Sequence, residues 1–497
     1  MANTTSYTGY FDRFRGRDDP KGGIGILLLG PALFVGSLLT PFSISWKIQG
    51  AIGLLAWIVI WMVSGIVRLE IVFLLPVVIV SVVPLAPWQE VVSVYWDPLV
   101  LFIFGAVGIA TGWKYWGFTR RVALRSLYKL GYGPKSQILV WFGLAAVFSA
   151  VIPDTVTAAM FIPIAVTILH YQGYKTADEI RASTFPSLVL LAIGWGAAVG
   201  GSATPLGGGM DILTIELLSD HVGYSVPFTS WIYHLLPFTV LNFLLVGTYL
   251  YYIFDIDATE VPTSKSFYQA ELTKLDSIKQ EEIIVVGAWL FAFGLVLLEP
   301  LYGSIIENSV PWFDPLLAFP IICAVLFVVP AKSGSASTIL NTDVITDFPL
   351  PVLFIWPGAI ALAKILTLSG AVDALGAAVD QYLTLSLLGF LLLAIIVTTI
   401  TNITTNTAAA AALIPVIISI AAKADLPVAT FVYAAAAMLN ISYALPSANG
   451  CLALTTGFGA DTNKMVKHGT ILCVLTVILI TVYSYFASQF IPGWNLP

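Results

Sequence analysis

TTNTAAAAALIP, residues 404–415, lies in one of the most apolar parts of the chain, yet its first four positions hold three hydroxyls and an amide. Polar groups at membrane depth are costly and need a purpose. A near copy points to one. PDTVTAAMFIP at 153–163 aligns with TNTAAAAALIP at 405–415 at an offset of 252 residues, pairing Thr155 with Thr407 and Pro163 with Pro415. The likeness extends on both sides: FGAVGIATGWKYWG at 104–117 pairs with PGAIALAKILTLSG at 357–370, and GSATP at 201–205 with PSANG at 446–450. Each copy reads as a span, a hairpin, and a helix broken by small and polar residues.

Of 497 residues, 58% are hydrophobic and 10% charged, and the mean hydropathy is +0.92. Soluble domains carry about 25% charged residues, so the composition predicts an all-α polytopic membrane protein. About eleven spans are expected, at 24–41, 48–67, 69–86, 98–117, 184–209, 231–254, 281–302, 312–331, 349–371, 428–458 and 469–491. Runs of that length exclude the short strands of a β-barrel. Two further apolar stretches, 136–170 and 385–422, are each interrupted by polar residues at mid-length, which predicts re-entrant hairpins.

Orientation follows the basic residues. With the N-terminus inside, Arg120, Arg121, Arg125, Lys129 and Lys135 fall in one cytoplasmic loop, as do Arg68, Lys265, Lys274, Lys279, Lys464 and Lys467 in theirs. The opposite loops at 87–97, 210–230 and 303–313 hold no Lys or Arg. This puts the hairpin at 136–170 on the inner side, the one at 385–422 on the outer side and the C-terminus outside. It also inverts one copy against the other, the inverted repeat of secondary transporters. The polar tail 1–23, with Arg13, Arg15, Arg17 and Lys21, is expected to remain uncleaved in the cytoplasm.

A hairpin tip inside the membrane offers backbone N–H groups and a positive dipole end to an anion. The carbonyls ending its first arm, with nearby hydroxyl and amide oxygens, suit a hard cation such as sodium. The first tip brings Ser149, Pro153, Asp154 and Thr155; the second brings Thr401, Thr404, Thr405, Asn406 and Thr407. The broken helices add Ser202-Ala203-Thr204-Pro205 and Ser447-Ala448-Asn449-Gly450, where Pro and Gly favour unwinding.

These motifs resemble the divalent anion/sodium symporter family of dicarboxylate, citrate and sulfate transporters, over nearly the whole chain. Its Ser-Asn-Thr tips are matched by Pro153-Asp154-Thr155 and Thr405-Asn406-Thr407, supported by VPFTSWIYHLLPF at 226–238, ALPSANG at 444–450 and KMVKHG at 464–469. The resemblance implies substrate contacts from Asp154, Thr155, Asn406, Thr407 and Asn449, with Pro153, Thr204, Thr405 and Gly450 beside them. It implies one sodium site at Ser149, Asp154 and Ala203 and a second at Thr401, Thr404, Asn406 and Ala448. It also implies a plasma-membrane homodimer in which transport elements (98–230 and 349–460) move as an elevator against scaffold elements (24–97, 231–348 and 461–497). Asp154 departs from the family amide and adds a charge beside a dianion. Two couplings therefore stay open: sodium symport, or exchange of one dicarboxylate for another with Lys364 standing in for sodium.

Other classes fit less well. The chain lacks HExxH, GxSxG and a P-loop, which leaves no motif for an intramembrane enzyme or an ATP-driven pump. A channel calls for a continuous pore rather than tips entering from both sides. No basic patch suggests nucleic acid as a partner. Cys323, Cys451 and Cys473 lack metal-ligand spacing and read as core residues, and no cofactor is expected apart from a coupling sodium. His170, His221, His234 and His468 read as interfacial, and Lys114 as a snorkelling anchor. A single Thr or Ser in a membrane helix often only glues helices together; repetition in two copies is what raises these tips above that. The choice among succinate, malate, 2-oxoglutarate, citrate and sulfate stays open.

Overall fold

The computed structural model describes residues 20–40, 44–131, 133–223, 226–254, 265–309, 314–333, 337–342, 344, 352–377 and 383–494. Residues 1–19 of the expected tail lie outside them. Among the described residues the regular structure is helical, apart from an isolated antiparallel bridge between Pro330 and Thr338. The all-α membrane class holds.

Eight helices among the described residues are long and apolar enough to cross a membrane, or nine if the bent pair Phe354–Leu368 and Ala371–Ala377, kinked by 72°, counts as one span. Two of the eight, Asp154–Tyr171 and Asn406–Lys423, are second arms of the hairpins. The difference from eleven has local causes. The stretch 69–86 divides into Leu69–Val72 and Leu75–Val82, with Pro76 in the first turn of the latter. At 312–331 the apolar helix is shorter, Pro315–Leu326, while 24–41 falls on the helix Pro20–Leu39. The last, 428–458, is two helices separated by a break. The stretch 210–230, expected as a loop, contains the helix Gly209–Val222. Its acidic residues hide it from a search for apolar runs, while neighbouring helices bury its first turn.

Both hairpins form as the sequence predicts. The first joins Pro134–Ser149 to Asp154–Tyr171, the second Leu387–Ile403 to Asn406–Lys423. Pro153 sits at the N-cap of its arm with φ −48° and ψ 135°, where a missing N–H costs nothing. Thr405 caps the other arm by accepting from Ala408 N at 3.2 Å. After each hairpin comes a broken helix: Thr184–Gly201 and Gly209–Val222 around residues 202–208, then Val428–Leu439 and Gly450–Gly457 around residues 440–449.

The centre is Thr184–Gly201, whose apolar window is 94% buried, against 28% for Phe228–Ile253 and 22% for Gln280–Gly303. The last two present apolar side chains outward, among them Leu244, Leu290, Phe291 and Leu298, as lipid-facing helices do. Close approach explains the central position. A Cβ on Gly196 would stand 2.3 Å from Phe142 O, and one on Gly200 2.0 Å from Ala146 O, so the pair four residues apart lets the first hairpin arm lie directly on the helix backbone. Gly200→Val is expected to force these backbones apart at a cost of about 1–3 kcal/mol. A lowered melting temperature of the detergent-solubilised protein measures it; an unchanged one would sink the packing argument.

The second arms pack reciprocally. Asp154–Tyr171 lies against Gly450–Gly457 of the other copy, and Asn406–Lys423 against Gly209–Val222. The first helix of the first copy, Pro98–Tyr115, instead seats on Ala318–Leu326 and Gln280–Ser309, with Trp113 Nε1 donating to Val285 O at 3.2 Å. The amphipathic helix Phe118–Leu130 is tied to the same neighbour by Arg121, whose Nε and Nη2 reach Glu282 at 2.9 and 3.1 Å. The cysteines are buried and free. His234 is buried within the protein, with Nε2 against Pro492 O at 3.2 Å, because the chain after the last helix folds back over it.

Candidate functional site

The tips come together through Asn449. This residue caps Gly450–Gly457, its Oδ1 accepting from Cys451 N at 3.2 Å. Its amide nitrogen donates to Asp154 Oδ2 of the first tip at 2.6 Å. The same nitrogen lies 3.3 Å from the Asn406 amide oxygen of the second tip. A single side chain thus bridges two motifs 252 residues apart in sequence. Gly450 presses on Thr155, where a Cβ would meet Thr155 Oγ1 at 2.6 Å, so no larger residue fits without displacing the first tip.

Asn406 sits in a nest of oxygens. Its NH2 end faces Thr401 Oγ1 at 2.8 Å, Ser442 Oγ at 3.0 Å, Ala448 O at 3.1 Å and Leu439 O at 3.2 Å. The carbonyl acceptors fix that orientation, since an amide oxygen there would face Leu439 O and Ala448 O without a hydrogen between them. Thr401 in turn donates to Leu439 O at 3.0 Å, and Thr404 to Ile400 O at 2.6 Å. Of the residues expected at the second cation site, Thr401, Asn406 and Ala448 adjoin one another. Thr404 bonds back into its own helix.

The first tip is organised differently. Asp154 turns its Oδ1 onto its own helix start, accepting from Thr155 N at 2.5 Å and Thr155 Oγ1 at 3.1 Å. A built-in carboxylate therefore occupies the anion position that the helix N-terminus offers. The leading N–H of each second arm is also committed: Asp154 N donates to Gly207 O at 2.9 Å and Asn406 N to Ala448 O at 3.3 Å. The expected cradle of bare N–H groups is in this respect corrected. Each break holds its own tip through a backbone carbonyl, leaving hydroxyls and amides for a ligand. Thr204 serves the break itself, donating to Ala150 O at 2.5 Å and accepting from Leu206 N at 3.2 Å. Pro153 has no side-chain capping bond.

Ser149 Oγ is buried without a hydrogen-bond partner, and the Cβ direction of Gly201 beside Ala203 points to within 3.6 Å of it. Asp154, Thr155, Thr405 and Thr407 are half-buried and Gly450 is exposed, so the residues around the bridge are not sealed from the surface. Lys364 makes no hydrogen bond or ion pair with any tip residue among the described residues.

Sequence reasoning missed several contributors. Ser442 completes the nest around Asn406. Asn402 secures the second break, donating to Ile441 O at 2.6 Å and accepting from Ala444 N at 3.2 Å. Asp211 is buried and bonded to Asn440 Nδ2 at 2.9 Å, 229 residues away. For Ser442 and Asn440 a signal existed, since both are polar residues inside the apolar stretch 428–458. For Asp211 there was none, because its helix read as a loop.

Comparison with known proteins adds an independent finding. The model of the citrate transporter family matches residues 54–439. The sodium-dependent dicarboxylate transporter SdcS of Staphylococcus saprophyticus is 27% identical over 478 residues, covering 93% of this chain and 90% of that one. SdcS of Staphylococcus aureus strain USA300 is 26% identical over 483 residues, covering 95% and 92%. Among solved structures, the Alcanivorax borkumensis YdaH transporter, described as having an unusual topology, superposes with a TM-score of 0.47 at 16% identity over 80% of this chain and 85% of that one.

Proposed function

We propose that this chain, which belongs to the citrate transporter family, carries C4-dicarboxylates such as succinate and malate across the plasma membrane together with sodium. It is a multi-pass membrane transporter rather than an enzyme. The observation that carries the finer reading is the Asn449 bridge, which joins the two tips into one half-buried polar site between otherwise apolar helices. A ligand with two carboxylates suits it, with Thr155 and Thr407 flanking and the tip dipoles behind. The names of the SdcS relatives support both dicarboxylate and sodium.

The donor set suits sodium. Thr401, Leu439, Ser442 and Ala448 present hard oxygens around one end of the Asn406 amide at the second tip, where a bound cation would take the place of its NH2 group, and the first tip offers the Ser149 hydroxyl, which has no partner among the described residues. When bound, sodium supplies positive charge against Asp154 and the substrate. Lys364 makes no hydrogen bond or ion pair with a tip residue among the described residues, which favours sodium over exchange with a lysine as substitute. The packing of hairpins and broken helices on one another, with Pro98–Tyr115 seated on outer helices, supports elevator movement of the former. The basic loop 120–135 then faces the cytoplasm and the C-terminus the outside, and the homodimer rests on resemblance to the divalent anion/sodium symporters.

In proteoliposomes, an inward sodium gradient is expected to drive accumulation of labelled succinate, and collapsing the gradient to abolish it. Uptake that needs internal dicarboxylate and ignores sodium would replace symport by exchange; uptake of sulfate but not succinate would reject the substrate class.

A further inference from the structure

Two carboxylates reach from the first copy to amides of the second, and only one belongs to a tip. Asp154 meets Asn449; Asp211 meets Asn440. Asp211 stands in the first turn of Gly209–Val222 and is wholly buried. Its Oδ1 accepts from Asn440 Nδ2, and its Oδ2, equally sealed, has no hydrogen-bond partner among the described residues. Asn440 cannot supply a second bond, since its other amide hydrogen goes to Ala436 O at 3.1 Å.

Among the described residues no counter-charge answers this carboxylate. The helices packed against Gly209–Val222 are Val352–Leu368, Asn406–Lys423 and Val428–Leu439. Their titratable groups are Lys364, Lys423 and Tyr433; Glu216 and His221 share the helix, and Asp154 stands within electrostatic range. Lys423 is engaged with Asp373 at 2.7 Å, and His221 is exposed at the far end. Among the described residues Asp211 makes no ion pair. One carboxylate oxygen is thus left without a donor in a sealed site, a position that a hydrogen can fill.

A metal ion does not suit Oδ2. Hard cations take about six oxygens, whereas the space beside Oδ2 at Gly208 is shared with the Met210 thioether: a Cβ on Gly208 would meet Oδ2 and Met210 Sδ, each at 2.8 Å. Among the described residues no three acidic, His or Cys groups converge. One hydrogen is what the position accommodates.

We propose that Asp211 is a proton-carrying carboxyl, distinct from the tips, which takes up a proton on one side of the membrane and releases it on the other as substrate moves. This rests on the transport reading above. An Oδ2–H bond forms with a proton from the aqueous phase, one negative charge is neutralised inside the site, and breaking that bond returns the proton to the opposite phase. Substrate entry then carries protons as well as sodium.

The test uses the full-length protein in proteoliposomes with an entrapped pH dye, sodium on both sides and the membrane potential clamped. Adding succinate should acidify the lumen by about one proton per succinate taken up, the protein-free leak subtracted. Asp211→Asn should abolish the acidification, and Asp211→Glu should retain it with a displaced pH profile of uptake. Succinate uptake by the wild type without proton movement overturns the proposal even if the asparagine variant does not fold, as does Asp211→Asn retaining the wild-type proton ratio. Absence of succinate uptake by the wild type sinks the transport reading instead.

Discussion

Asn449→Ala should reduce succinate uptake about 10- to 100-fold while leaving a folded protein. The Asn449 amide donates to a carboxylate, Asp154 Oδ2, at 2.6 Å, and also stands against the Asn406 oxygen. Losing a hydrogen bond to a charged group costs about 1.5–3 kcal/mol, and 1.4 kcal/mol is tenfold in an equilibrium constant. The loss falls on the relative position of the two tips, because no other side chain bridges Asp154 and Asn406 among the described residues. Initial rates of labelled succinate uptake, paired with a melting curve, measure it. Near-normal rates would remove Asn449 from the site; a collapse of the melting temperature would make it a structural residue instead.

The second large effect is on stability. Arg121→Ala should destabilise the protein by about 3–5 kcal/mol, because it strands Glu282, whose side chain is only 4% exposed, without its partner. Arg121 binds both Glu282 oxygens and also donates to Asp276 O at 3.0 Å, a forked geometry that lysine cannot reproduce. The neighbouring Glu281 is held separately, by Ser333 Oγ at 2.7 Å, and gives no substitute for the lost arginine. The double change Arg121→Ala with Glu282→Gln should recover part of the loss, since the stranded charge is gone. Thermal melts of the four proteins measure the cycle. If the double variant is no better than the single one, desolvation of Glu282 is not the cause.

What the sequence made legible follows from the range of the forces involved. The hairpins could be read because proline, hydroxyls and amides interrupt apolar runs locally, and because the second copy repeats the pattern. Asn449 could be read as a site residue, since Ser447-Ala448-Asn449-Gly450 stands where a helix breaks. Its bridging role could not, because it depends on two partners brought together only by tertiary packing. The expected anion cradle was half right for the same reason: the dipole ends are there, but carbonyls at Gly207 and Ala448 take the leading N–H groups. Asp211 was illegible, since a short helix with several acidic residues looks like a loop until its neighbours cover it. Arg121 and Glu282 were visible as charges near the membrane surface, whereas their pairing spans 161 residues.

The Asn449 to Asp154 bond also sets a timetable for biogenesis. It joins residues 295 apart, and chains are made at about 5–20 residues per second, so the first tip waits about 15–60 s for its amide after it has been synthesised. During that interval an acidic group stands in the growing protein without its final partner. The first half of the chain cannot finish its own site; completion is deferred until the second broken helix arrives, and a chain ending between Asp154 and Asn449 keeps the donors from Thr155 but lacks the amide that answers Oδ2.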